Sequence, residues 1–474
     1  MRRTKIVCTI GPASDGLLKE LISAGMDVAR LNFSHGTLEE QGARIQRLRE
    51  AAEACGRAVG ILLDIQGPKV RIGPIEPEPV MLESGQPFAF VREPVVGDSE
   101  KVTLNQVELW RLVGPGDTIF LDDGLIELRV ERVEGTTVHT RVVVGGWLRA
   151  HKGVTLPGVD LDLPALTETD VEHIRFGIER GVDFVAASFI RRPEHVAAVK
   201  QVIRDAGGRQ PVIAKIESHE GVEHLEAIVA QADGVMVARG DLGVQIPPEE
   251  VPLVQKRIIE VCNRHGKPVI TATQMLESMV HNPRPTRAEV TDVATAIFDG
   301  TDAIMLSGET AIGQYPIQAV RVMDRVARRA ESAVAYDQLL AGRRSGPSAS
   351  IAEAIGYASC WAASDVGAAA ILTSTQSGAT ARMVSKFRPS APILAMTPRP
   401  EVARQLAVVW GVQPVVVPYT ERIDDMIDVA VGAALAGGYI RNGDRVVVTA
   451  GVKTGVPGST NLLQVYTVEG ETRA

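Results

Sequence analysis

Short apolar runs alternate with amphipathic stretches along most of this chain, and that rhythm is the tightest limit on its fold. Residues 4–10 read as a strand that stops at Gly11-Pro12. Residues 17–24 read as a helix ending at Gly25, and residues 26–31 and 59–65 as further strands. A brief apolar run between turn residues is the mark of a strand buried on both faces. The rhythm breaks after Gly67-Pro68 and returns at Thr167, where Thr167 with Asp170 predicts a helix N-cap and an acidic N3 residue. That helix ends near Gly181, and strands follow at 184–189, 212–217, 234–238, 268–271 and 303–306. Together with the first three these make eight, and eight βα units close most naturally as a TIM (β/α)8 barrel.

The interruption has its own character. Residues 73–160 are rich in Pro and Gly, with short Val-containing runs at 126–133 and 137–144 and turns at Asp123-Gly124 and Glu134-Gly135. This predicts a small all-β insert after the third strand. Residues 341–350 are small and polar and read as a linker. Beyond them, apolar runs at 369–372, 393–396, 415–417 and 445–449 predict an α/β open sheet. The expected division is a barrel in two parts, 1–72 and 161–341, the β insert at 73–160 and a C-terminal α/β domain at 342–474. A chain of 474 residues is too long for one core, which agrees.

Composition narrows the partners. Net charge is −8 with no long basic block, which argues against nucleic acid or anionic lipid as the main partner. Cys8, Cys55, Cys262 and Cys360 are widely scattered, so no disulfide framework is implied. The apolar run after Met1-Arg2-Arg3 is too short for a signal peptide or a membrane span, so the cytoplasm is the expected location.

In such a barrel the active site lies at the C-terminal ends of the strands. Lys215 and Glu217 are two apart, so they point the same way at one strand end, and Asp241 follows the next strand. One ammonium beside two carboxylates is a layout for holding a divalent metal against a phosphate. The other ends carry Arg30-Leu31-Asn32-Phe33-Ser34-His35, then Asp64 through Arg71, Thr273-Gln274 and Ser307-Gly308-Glu309-Thr310. A purely structural barrel has no reason to collect these groups on one rim. Taken alone, Lys215 with Glu217 reads equally as a structural ion pair. Arg239-Gly240-Asp241 is an adhesion tripeptide in form only, since it follows an apolar strand. Asp122 and Asp123 read as a turn before a metal site.

These runs resemble the pyruvate kinase family. The resemblance rests on residues 4–12, Ala29 to Gly36, Lys215-Ile216-Glu217, Met236 to Gly243, Ala272 to Met279 and Met305 to Thr310, in the family's order along the whole chain. It implies transfer of the phosphoryl group of phosphoenolpyruvate to ADP, giving ATP and pyruvate. It also implies that the insert is a small β-barrel lid domain, that Mg2+ (or Mn2+) sits on Glu217 and Asp241, and that the protein is a homotetramer. Lys215 would neutralise the phosphoryl group, Arg30 and Arg71 would hold phosphates, and Gly240, Asp241 and Thr273 would bind the carboxylate. Thr273 and Ser307 become proton-relay candidates. Asn32, His35, Arg71 and Lys152 match nucleotide contacts, although His35 reads equally as a residue starting a helix. Competing readings are another Mg2+ barrel enzyme handling phosphoenolpyruvate or pyruvate, a lyase or mutase, and a non-catalytic metabolite sensor.

One stretch departs from the commonest family pattern. Many members bind K+ near the positions of Asn32, Ser34 and Asp64 and carry Glu where Lys69 stands in Asp64-Ile65-Gln66-Gly67-Pro68-Lys69. A lysine there can supply the charge covalently, and two cations so close would repel. We therefore expect Lys69 to fill the monovalent-cation position and K+ not to be required. In the C-terminal block, Thr373 to Thr380 joins a strand to an amphipathic stretch, and hydroxyls and NH groups at a helix start form a phosphate cradle. By resemblance, Thr375, Ser377, Gly378, Thr380 and Lys453 would bind a phosphorylated effector. An ordinary helix cap is the alternative.

Overall fold

The computed structural model describes residues 2–104, 106–343, 348, 350–451 and 460–469. Eight parallel strands close into a barrel: β1 (Lys5–Thr9), β2 (Val28–Asn32), β3 (Gly60–Asp64), β4 (Phe184–Ala187), β5 (Val212–Ile216), β6 (Gly234–Ala238), β7 (Val269–Ala272) and β8 (Ala303–Leu306). Each lies within about two residues of its predicted run, and β6 and β8 match theirs. Closure comes from β1 pairing with β8, where Lys5 stands opposite Ala303.

The strands are apolar on both faces because each face has a separate job. Ile61 and Leu63 of β3 pack into the ring of helices, and Leu62 between them faces the barrel interior. The same alternation holds along β5, with Val212, Ala214 and Ile216 outward and Ile213 inward. Thr167 caps the helix Glu168–Glu179 in a full capping box with Asp170. The helix Leu18–Ala24 ends at Gly25, whose φ of 128° suits glycine.

The insert is β-rich, but its ladders do not form one closed ring. A six-stranded sheet and a two-stranded ribbon, Val80–Leu82 with Gly146–Leu148, enclose one apolar core.

The C-terminal sheet has five strands: β9 (Ala370–Ser374), β10 (Ile393–Thr397), β11 (Val412–Val416), β12 (Arg445–Gly451) and β13 (Thr460–Thr467). Their order is β11-β10-β9-β12-β13, and only β13 runs antiparallel. Sequence reading passed over β13. It is a sheet edge with several half-buried and exposed positions, and Asn461 and Gln464 break up the apolar run that marks β9, β10 and β12. The domain packs under the N-terminal mouth of the barrel. There the barrel-interior residues Val28, Leu62 and Phe184 join Leu406 and Val408 in one cluster. The four cysteines are free. No helix among the described residues is long and apolar enough to cross a membrane.

Candidate active site

Strand alternation decides which side chains reach the barrel interior. Val28 faces inward, so Arg30 and Asn32 do too; Leu62 brings Asp64, Phe184 and Ala186 bring Ser188, and Ile213 brings Lys215 and Glu217. All emerge at the C-terminal mouth. With Ser34, His35, Lys69, Arg71, Lys152 and Asp241 they line one cleft of about 350 Å3 between barrel and lid.

Lys215 is the centre of the site. Its ammonium donates to Ser188 Oγ at 2.6 Å and Asp64 Oδ1 at 3.1 Å, and forms an ion pair with Glu217 Oε1 at 3.0 Å. Burial opposes its charge, but Asp64 and Glu217 outweigh that and hold it above the usual lysine range. Asp64 also accepts Arg30 Nε at 2.6 Å, and Arg30 Nη1 donates to Thr9 Oγ1 at 3.0 Å. Burial alone would raise the Asp64 carboxyl; Lys215 and Arg30 bring it below the ordinary range.

Glu217 is 1% exposed. Its other oxygen accepts Phe189 N at 2.7 Å, where Phe189 has φ of 53°. Burial pushes the Glu217 carboxyl up, Lys215 pulls it back, and the Asp241 charge adds to the rise. A hard divalent cation between these two carboxylates would offset both the burial and the repulsion, so the donor set fits Mg2+. Among the described residues no group of three or more His, Cys, Asp or Glu is arranged to hold a metal alone. Substrate oxygens and water would therefore complete the shell, as is usual for Mg2+.

Thr273 and Gln274 have φ of 69° and 53°, a left-handed turn after β7. Arg239 pins it by donating to Thr273 O at 2.7 Å, and Asp292 holds Arg239 at 2.7 Å. Thr273 Oγ1 donates to Ala272 O at 2.7 Å and accepts Gly240 N at 2.8 Å. The NH expected to bind a carboxylate is thus tied to Thr273 here. Ser307 Oγ is buried without a partner. Glu309 joins the two loops by accepting Leu276 N at 2.9 Å and Ser307 N at 2.7 Å.

Lys69 departs from expectation. Its ammonium is not seated on Asn32, Ser34 and Asp64. It lies 2.8 Å from Asp123 Oδ1 and 3.3 Å from Asp241 Oδ1. The reason is that Arg30 and Lys215 already neutralise Asp64, whereas Asp241 has no other cation on it among the described residues. Asp122 and Asp123 form a turn, with φ of 51° and 53°, and Asp122 pairs with Lys152 at 2.8 Å. Arg71 donates to His151 O at 2.9 Å, and His35 is exposed on the cleft wall. Ser188 and Phe189 escaped sequence reading; the alternation starting at Phe184 carries the signal for Ser188.

In the C-terminal domain, Gly378 has φ of 78° and opens the helix Ala379–Lys386. Thr375 and Thr380 are buried, and Thr380 Oγ1 lies 2.8 Å from Thr460 Oγ1 at the start of β13. Ser377 is half-buried in the same loop. Lys453 lies outside the described residues.

Comparison with known proteins agrees with this geometry. A family model for the pyruvate kinase barrel domain matches residues 1–320, and one for the pyruvate kinase alpha/beta domain matches residues 353–466. A pyruvate kinase of Clostridium acetobutylicum is 48% identical over 473 residues, spanning 99% of this chain and 100% of the relative. Those of Geobacillus stearothermophilus and Bacillus licheniformis are each 50% identical, over 98% and 99% of this chain and 80% and 81% of their own lengths. With a phosphate-ready cleft on a barrel rim, two family models spanning most of the chain and full-length relatives near half identity, the chain belongs to the pyruvate kinase family, whose members pass the phosphoryl group of phosphoenolpyruvate to ADP to give pyruvate and ATP.

Proposed function

We propose that Lys215 neutralises the phosphoryl group as it moves from phosphoenolpyruvate to ADP. The observation that carries this reading is the fully engaged Lys215 ammonium at the closed end of the cleft. An ammonium held charged by buried carboxylates is pre-aligned, and exchanging one partner for a phosphoryl oxygen needs little reorganisation. Arg30, fixed by Asp64 and Thr9, offers its remaining donors to the same group. In the transfer the bond from phosphorus to the enol oxygen breaks and one to a β-phosphate oxygen of ADP forms. Asn32, His35, Arg71 and Lys152 line the cleft where the nucleotide phosphates would lie.

Family membership implies a divalent metal, generally Mg2+. Glu217 and Asp241 would hold it, and when bound it supplies positive charge to the phosphoryl and carboxylate oxygens. Gly240 N, released from Thr273, would meet the substrate carboxylate. The enolate carbon left after transfer needs a proton. Ser307 is the preferred relay candidate, because its hydroxyl has no hydrogen-bond partner while the Thr273 hydroxyl proton is committed to Ala272 O. Lys69 keeps a positive charge in the cleft, which supports activity without K+. Thr375, Ser377, Gly378 and Thr380 would take a phosphorylated effector, and a homotetramer belongs to the same reading.

One assay tests the roles: pyruvate formation from phosphoenolpyruvate with and without ADP, in K+-free and K+-containing buffer, for the wild type and Lys215→Met. We expect strictly ADP-dependent product, a loss on the order of 1000-fold in kcat for Lys215→Met, and wild-type turnover indifferent to K+. Product without ADP overturns the transfer scheme. A many-fold rise on adding K+ removes the role given to Lys69.

A further inference from the structure

The Lys69 ammonium stands between carboxylates of two domains: Asp123 on the lid turn and Asp241 at the first turn of the helix Arg239–Gln245. Its stem is fitted to the lid as well. A Cβ placed on Gly153 would fall 2.7 Å from Lys69 Cε, so the lid backbone is bare where the lysine passes. Gly153 is also where the lid bridges back to Arg71 in antiparallel register. Asp122, the other acid of the turn, is engaged by Lys152, which leaves Asp123 for Lys69. Lys69 is four-fifths shielded and Asp123 largely exposed, so the pair closes over the cleft from the solvent side.

We propose that Lys69 is an electrostatic latch that competes with the divalent cation for Asp241, and that lid residue Asp123 draws it away, so that lid closure and metal binding favour one another. The proposal rests on the reading that Asp241 with Glu217 holds the metal. An ammonium and a divalent cation on one carboxylate oxygen repel strongly in a shielded cleft, so one must yield. Asp123 is the second partner that lets the lysine yield without being left unpaired. By linkage, whatever strengthens the Lys69–Asp123 pair strengthens metal binding, and bound metal strengthens the pair by the same factor. Asp123 and Gly153 are thus positioning residues for the reaction, acting through Lys69.

The test is a Mn2+ titration of the full-length protein without substrates, read as free Mn2+ by electron paramagnetic resonance. It compares the wild type with Lys69→Met, Asp123→Asn, the double variant and Asp241→Asn, each matched by circular dichroism. Lys69→Met should bind Mn2+ more tightly, on the order of tenfold. Asp123→Asn should bind several-fold more weakly, and the double variant should match Lys69→Met. A general charge effect would weaken the double variant too, and that result overturns the latch, as does Lys69→Met binding no tighter than wild type. Asp241→Asn separates the two layers. If it binds like wild type, the metal-site reading has failed. If it loses binding while Lys69→Met and Asp123→Asn match wild type, only the latch has failed.

Discussion

Lys5 shows how strongly one buried charge can bear on stability. It is buried at the closed end of the barrel, where Nζ donates to Val412 O of the C-terminal domain at 2.6 Å. Burial pulls its ammonium down to about 8, against the upward pull of Asp27. The unfolded chain keeps that proton to the ordinary lysine value. Above pH 8 the unfolded state therefore binds more protons, and the folded state gains stability as pH rises. We predict that the wild type gains about 2 kcal/mol relative to Lys5→Met between pH 7 and pH 9.5, measured from denaturant midpoints. A difference that stays flat across that range would show that Lys5 keeps its proton throughout.

Among the elements, the helix Glu168–Glu179 and strand β3 fit together through one missing side chain. A Cβ on Gly177 would lie 2.2 Å from Leu63 Cδ1, inside any tolerable contact, and Leu63 is fully buried. Two effects of Gly177→Ala oppose each other. Alanine improves helix propensity by about 1 kcal/mol. Forcing a methyl into a filled interface costs about 1–3 kcal/mol, and more where the neighbour cannot move. The clash here is severe, so the clash should win and the variant should be destabilised. Leu63→Ala opens the space, so the double variant should lie well above the sum of the two singles in a double-mutant cycle. Additive losses would mean that the helix shifts instead.

Across the whole molecule, the C-terminal domain grips the barrel through arginines placed on aspartates that precede strands. Arg388 pairs with Asp302 at 3.0 Å just before β8, and Arg404 pairs with Asp183 at 2.7 Å just before β4. The far ends of those strands carry Ser307 and Ser188. Arg388 is 4% exposed in its side chain, lies over the Trp410 ring at 4.8 Å, and also donates to Asn263 Oδ1 at 2.7 Å. Removing one member of a buried pair strands the other. Arg388→Met should therefore cost about 3–5 kcal/mol, while pairing it with Asp302→Asn should recover part of the loss. Chemical denaturation of Arg388→Met and the double variant measures it, and a neutral Arg388→Met would show that Asp302 finds other partners.

Much of this architecture was legible before any coordinates. The eight strands follow from local runs, and Lys215 with Glu217 on one face follows from the two-residue period of a strand. Thr167 with Asp170 announced its capping box in four residues. Chain neighbours alone control these features, and so the sequence by itself determined them. Which cation meets which carboxylate is different. Lys215 finds Asp64 across 151 residues and Lys69 finds Asp241 across 172. The same holds for the capture of the Gly240 NH by Thr273 and for the placing of Asp302 under Arg388. Barrel closure, lid folding and domain packing brought these groups within a few ångströms. An ion pair needs that proximity, and only the tertiary structure decides it.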